Sequence, residues 1–350
     1  MEKTMLMKDE AILQHPYLLL LAIAVGFVVM DPLEMGPLGG LEFMPVKHSI
    51  APYKKVMDEW PRDNHSRLGH GKLEFVDEVF GPESLEFDNL GHGPYAGLAD
   101  GRVVRWMGEN IGWETFATVS PNWSEKLCSK GIHSTTYKQW KVEKQCGRPL
   151  GLRFDKVSGN LYIADAYYGL LVVGPEGGLA TPLSTQSDGK PILFANDLDI
   201  HKNGSIFFTD TSKRYNRVLM KYWLEGPKTG TVDLVANLPG FPDNVRMNER
   251  GQLWVAIDCC RTPAQEVLTN NPWLRSLYFR LPLRMSILAR LMGMRMYTLI
   301  SLFSEEGEIV EVLEDRKGAV MKLVSEVREN KGKLWIGTVA HNHIATLPYP

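Results

Sequence analysis

A short phrase recurs along this chain and limits its fold more than any other feature. A turn glycine is followed by a run rich in β-branched and aromatic residues and then by a small or acidic residue. It occurs at Gly159-Asn-Leu-Tyr-Ile-Ala-Asp165, Gly204-Ser-Ile-Phe-Phe-Thr-Asp210, Gly251-Gln-Leu-Trp-Val-Ala256 and Gly332-Lys-Leu-Trp-Ile-Gly337. The first three glycines are 45 and 47 residues apart, and the last follows after 81. Strands returning every ~40 to 50 residues between turn signals are the mark of propeller blades. Helical repeats of similar length are excluded by the β-branched and aromatic content and by the bounding Gly, Asn and Asp. The spacing predicts strands at 161–165, 206–209, 253–257 and 334–337 in an all-β chain.

A second phrase precedes the first. Phe194-Ala-Asn196-Asp197-Leu-Asp-Ile200 and Phe241-Pro-Asp243-Asn244-Val-Arg-Met247 place Asn196 and Asn244 48 residues apart, one blade. Innermost propeller strands converge on the central channel, so matched asparagines present carbonyl oxygens to one axial point. A hard cation wants six to eight such oxygens from different segments. The plain alternative is that each Asn caps its own blade turn.

A formal charge of -2 and the lack of a basic stripe with interleaved aromatics argue against a nucleic-acid partner. Tyr17 to Met30 is 14 residues without a charge, preceded by Lys3 and Lys8. That length suits a signal peptide, or with its flanks a marginal membrane anchor, and the plain alternative is a buried core helix. Asn64, Asn122 and Asn203 each open an N-x-[ST] triplet, which has meaning for a chain that enters the secretory pathway. Cys128 and Cys146 flank a polar, turn-rich loop, whereas Cys259 and Cys260 are adjacent and would point to opposite faces of a strand.

Between Val267 and Ser304 the chain holds Arg275, Arg280, Arg284, Arg290 and Arg295 and no Asp or Glu, among many apolar residues including Trp273, Leu277 and Leu291. This excursion, 267–304, fills the 81-residue gap. A basic amphipathic segment with aromatic anchors suits an anionic membrane surface or a cover over a substrate mouth, and equally a helical insertion packed on the propeller rim. Pro272 and Pro282 divide it into short helices.

Several phrases together resemble the strictosidine synthase-like group, which includes proteins described as adipocyte plasma membrane-associated protein-like, and more distantly the paraoxonases. They are Gly81-Pro-Glu83-Ser-Leu85, Cys146-Gly-Arg-Pro-Leu-Gly151, Phe194-Ala-Asn-Asp197, Phe208-Thr-Asp-Thr-Ser212, Pro242-Asp-Asn-Val245 and Lys333-Leu-Trp-Ile-Gly337. The resemblance implies a six-bladed β-propeller, an endomembrane, ER or vacuolar address, glycosylation and a disulfide between Cys128 and Cys146. It also implies an axial calcium at Glu83, Asn196, Asp243 and Asn244, with one asparagine ligand missing. The family's segment around that ligand has no counterpart, because Arg214-Tyr-Asn-Arg-Val218 runs straight into Leu219-Met-Lys-Tyr-Trp223. About one ~40 to 50 residue blade is therefore absent, leaving five blades or an incomplete six. The domain reading is a signal or anchor over 1–35, a linker leading into the propeller over 36–74, and the propeller over 75–350.

The catalytic residues of the named activities do not carry across. Strictosidine synthase places its catalytic glutamate seven residues before the glycine of the last strand phrase, which here is Ser325, while Glu326 would face the other side of an extended strand. Leu150 stands where the first paraoxonase histidine would. Three functions remain: a calcium-assisted hydrolase of small-molecule esters or lactones, or its degenerate relative; a non-catalytic membrane-tethered binding propeller; and a Pictet-Spengler synthase, which Ser325 opposes.

Overall fold

The computed structural model describes residues 16–30, 32–36, 51–129, 137–187, 190–192, 194–200, 206–210, 218–222, 227, 232–259, 261–283, 285–293, 297–339 and 341–350. Two compact units result: Asp58–Cys260 with Met296–Pro350, and Met1–Met57 with Arg261–Arg295.

The larger unit is a β-propeller with four complete blades, each of four antiparallel strands, the first extended by a fifth, parallel strand Gly178–Leu179. From the axis outward, the first is Leu85–Glu86, Tyr95–Gly97, Arg102–Trp106 and Trp113–Thr118. The second is Pro149–Phe154, Leu161–Asp165, Gly169–Val173 and Thr181–Ser184. Later in the chain come Phe241–Met247, Leu253–Cys259, Tyr297–Phe303 and Ile309–Asp315, then Val324–Asn330, Lys333–Thr338 and Ile344–Pro348. This last blade is completed from the other end of the sequence, because Lys72–Glu74 pairs with 344–346. The propeller thus begins before the expected residue 75, and pairing of N- and C-terminal segments spares the ring an open edge. All four strands expected from the repeat are present, each a residue or more longer where it differs.

Between the second and third of these blades in the chain lie two hairpins, Ala195–Ile200 with Ile206–Asp210 and Val218–Tyr222 with Val232–Asn237, which do not join into one sheet among the described residues. They stand as two half-blades on either side of the expected gap at Val218–Leu219. Apolar faces of neighbouring blades make the core. Leu152, Leu161, Ile163 and Leu171 pack with Tyr95, Val103 and Phe116, and Trp254, Ile300 and Leu302 pack with Val327, Leu334 and Ile336.

The smaller unit is helical in its described part. Pro16–Met30 is a helix with no buried residue, which removes the buried-core alternative. The excursion forms helices Pro263–Asn270, Pro272–Arg280 and Met285–Leu291. Thr262 and Gln265 make a reciprocal capping box at the first, and Pro263 and Pro272 sit at helix starts where no N–H is needed. The expected limits of 267–304 therefore shift. Residues 297–303 are a blade strand, paired in unbroken register from Leu253↔Phe303 to Cys259↔Tyr297, and the helices begin at Pro263. Cys260 lies outside the described residues.

Candidate axial site

The inner strands share a local grammar. Glu83-Ser84-Leu85-Glu86, Leu150-Gly151-Leu152-Arg153, Asn196-Asp197-Leu198-Asp199, Asp243-Asn244-Val245-Arg246 and Ser325-Glu326-Val327-Arg328 each place two residues, one aliphatic residue and one charge in a row. Side chains alternate along a strand, so the aliphatic residue enters the blade core while the charge turns to the axis. Leu85 and Leu152 are fully buried, and Leu198 and Val327 nearly so. Four of these strands gain one extra residue at this point, with register shifts between Pro149 and Gly151, Ala195 and Leu198, Pro242 and Val245, and Val324 and Glu326. A bulge re-aims side chains that a regular strand would send to alternate faces.

These residues close a ring of five inner strands among the described residues. The Ser84 hydroxyl accepts from Leu152 N at 3.2 Å, Arg153 Nε reaches Asp199 at 2.8 Å, and Arg246 binds Asp197 at 2.8 Å and Glu326 at 2.7 Å. Arg328 pairs with Glu86, and the Ser325 hydroxyl donates to the Glu83 carbonyl at 2.7 Å. Two glycines permit the approach. A Cβ on Gly151 would lie 2.8 Å from Asp197 Cα, and one on Gly337 would lie 2.6 Å from the Pro82 carbonyl oxygen.

The four expected cation ligands meet this ring at different depths. Glu83 and Asn244 are each 1% exposed, whereas Asn196 and Asp243 are partly buried. Asn196 Nδ2 donates to Asp243 Oδ1 at 3.4 Å, and Asn244 Nδ2 donates to Glu326 Oε2 at the same distance. Glu83 Oε2 and Asn244 Oδ1 are buried and have no hydrogen-bond partner. Burial, and next the negative Asp243, push the Glu83 carboxyl well above its ordinary range, against the pull of Arg148. Partnerless buried oxygens beside mutually repelling carboxylates fit a hard cation's donor chemistry. Among the described residues no group of three or more His, Cys, Asp or Glu side chains is placed to hold a metal, so such a set depends on its amides. The turn-capping alternative belongs to another residue: Asn248 Oδ1 accepts from Arg250 N and Gln252 N at 3.0 and 2.9 Å.

No family model matches the chain. It is 63% identical to the protein strictosidine synthase-like 13 of Arabidopsis thaliana, over 96% of this chain and 95% of that one. The chain belongs to the strictosidine synthase-like family. A second Arabidopsis thaliana member, strictosidine synthase-like 3, is 37% identical over 93% of this chain and 96% of its own length. A gluconolactonase of Xanthomonas campestris superposes with a TM-score of 0.41 at 13% identity, covering 88% of this chain and 95% of that structure. The alignment with the first relative runs over 393 residues although this chain has 350, so that relative carries residues without a counterpart here.

The position that holds the catalytic glutamate in strictosidine synthase needs a correction. Glu326 is expected on the other side of an extended strand from Ser325, but the strand is bulged there, and the Glu326 carboxylate meets Arg246, Ser84 and Asn244. Burial raises Glu326 to about 7 even beside Arg246, because nothing replaces the lost hydration in full. Ser325 spends its hydroxyl on the Glu83 backbone.

Sequence reasoning missed Asp197, Arg246, Ser84, Glu86, Arg153, Asp199 and Arg328. The signal was present in the charge that ends each four-residue row, but no single row declares which other row supplies its partner.

Cys128 and Cys146 are joined, Cα to Cα 5.7 Å apart, between the ends of helices Glu125–Cys128 and Tyr137–Cys146. Asn64 and Asn122 are exposed, and Asn203 lies outside the described residues.

Proposed function

We propose that this strictosidine synthase-like propeller takes a calcium ion at Glu83, Asn196, Asp243 and Asn244 and acts as a hydrolase of esters or lactones. The observation that carries the reading is the pair of partnerless buried oxygens, Glu83 Oε2 and Asn244 Oδ1, in a cluster of carboxylates. Two of the neighbouring carboxylates, Asp197 and Glu326, are satisfied by Arg246, whereas the buried Glu83 Oε2 has no hydrogen-bond partner to hold it. A bound cation would supply Lewis-acid polarisation of a carbonyl oxygen. Glu83 would hold it through a carboxylate ionised by that neighbour, while Arg246 keeps the second layer of acids from competing.

A second reading, a non-catalytic binding propeller, is favoured by one observation. Glu326, whose carboxyl burial raises to about 7, is fully enclosed and tied to Arg246, which favours a site that does not pass protons to a substrate. The same enclosure argues against Pictet-Spengler chemistry.

Calcium titration by calorimetry, together with hydrolysis of phenyl acetate and a simple δ-lactone with and without chelator, separates the readings. Calcium binding with hydrolysis that disappears on chelation and in Glu83→Gln supports the hydrolase. Absence of turnover, with or without calcium binding, supports the second reading; absence of calcium binding ends the calcium-assisted hydrolase, and turnover that survives chelation ends both.

A further inference from the structure

The helical unit carries an unusual combination of exposed apolar area and positive charge. In Pro16–Met30, Leu20 is 66% exposed, Leu21 59%, Ile23 59% and Met30 75%. The helix has no polar face to present to water, because its apolar residues surround it on all sides. In the excursion, Trp273 is 69% exposed and Leu291 67%, and Ile287 is also exposed. The excursion residues 261–295 contain six arginines against the single acidic residue Glu266.

The two parts are packed together within this unit. Helix Pro272–Arg280 lies against Pro16–Met30, and Arg280 Nη1 donates to the Val29 carbonyl at 2.6 Å, neutralising the negative end of the apolar helix. The chain before the excursion is tied as well, through Arg261 to the Ala51 carbonyl at 2.8 Å and Tyr53 N to Glu266 at 3.1 Å.

The 15 described residues of the apolar helix cover about 22 Å. No helix among the described residues is long and apolar enough to cross a membrane. A short apolar element gives weak membrane attachment, and stable attachment takes a second signal. Trp273, Ile287 and Leu291 supply interfacial anchors, and the exposed Arg280 and Arg290 supply attraction for phosphate headgroups, each such basic residue adding to the pull of an anionic leaflet.

We propose that the excursion 261–295 is a membrane-docking surface for an anionic lipid leaflet, acting jointly with the helix Pro16–Met30. An aqueous partner protein would not require so apolar a helix beside it, and the near absence of acidic residues in the excursion suits phosphate rather than a mixed-charge protein surface.

The test uses the full chain in flotation with vesicles of phosphatidylcholine alone or with about one third phosphatidylserine, a composition that gives a negative surface potential. Wild type is expected to bind the anionic vesicles at least about tenfold more tightly, with the preference fading as salt rises. The double change Trp273→Glu and Leu291→Glu, at exposed positions, should weaken binding to both kinds of vesicle by about tenfold. Arg280→Gln with Arg290→Gln, the exposed arginines of the excursion among the described residues, should lower the anionic preference and leave neutral binding in place. Quenching of tryptophan fluorescence by brominated lipid should fall in Trp273→Phe, a change too mild to unfold the unit. Unchanged binding in both double variants, or unchanged quenching in Trp273→Phe, would overturn the proposal. So would lipid-free self-association abolished by the glutamate pair, since a second copy would then be the occupant.

Discussion

Arg246 holds Glu326 through a 2.7 Å ion pair in which the two side chains are 3% and 0% exposed. The same guanidinium binds Asp197, so one cation from one blade serves acids from the two blades on either side. Each partner is drawn from a different inner strand, which makes the pair a fastening of the ring.

Removing Arg246 should therefore cost more than its contacts suggest. Arg246→Met would leave two acids enclosed with their countercharge gone, and breaking one side of a buried pair typically costs about 3 to 5 kcal/mol. Urea unfolding monitored by circular dichroism is expected to show a midpoint shifted well below wild type. A near-neutral result would mean that water reaches the cluster.

Stability should carry a pH signature from Glu326. The folded chain keeps this proton up to about pH 7, whereas the ordinary value is 4.5, so the folded state holds the extra proton between those limits. The contribution of this group is then fully present below pH 4.5 and falls as pH rises to 7. His341 and His343 work in the opposite direction, because burial lowers both and their contribution is lost on acidification through the usual histidine range. The difference between wild type and Glu326→Gln isolates the carboxyl. Measured by thermal unfolding in calcium-free buffer, the variant should gain on wild type as pH is raised from 5 to 8. A difference that is flat with pH would place the Glu326 proton elsewhere.

The Cys128–Cys146 bridge closes a loop of sequence separation 18. Loop-closure entropy for that length gives about 3 kcal/mol in the chain-entropy account. Cys128→Ser with Cys146→Ser, or reduction of the wild-type protein, should lower the unfolding free energy by that order. An unchanged unfolding curve under reduction would show that the helices Glu125–Cys128 and Tyr137–Cys146 hold the loop without it.

The fold was legible because its signals are local. Glycine, then β-branched and aromatic residues, then a small or acidic residue is a strand with its turn, and Leu161, Leu253 and Leu334 each begin or nearly begin such a strand in the structure. The blade interval could be counted. Closure of the last blade by Lys72–Glu74 was not legible, because three short residues pair with a strand some 270 positions later and carry no mark of it. The end of the excursion was misjudged for a related reason: 297–303 is apolar on both faces, and an apolar run of that length reads equally as helix or strand until its neighbours are known.

Spacing alone placed Asn196 and Asn244 at matching points of two inner strands, and the family resemblance added Glu83, Asp243 and the position of Ser325. Tertiary structure alone decided which of them share a space. A single extra residue at Ser325 reverses the facing of Glu326, since side chains on a strand alternate and a one-residue shift exchanges the faces. The partnership of Arg246 with Asp197 and Glu326 likewise exists only once the inner strands converge, because the acids lie 49 and 80 positions away from Arg246 and no local rule spans that distance.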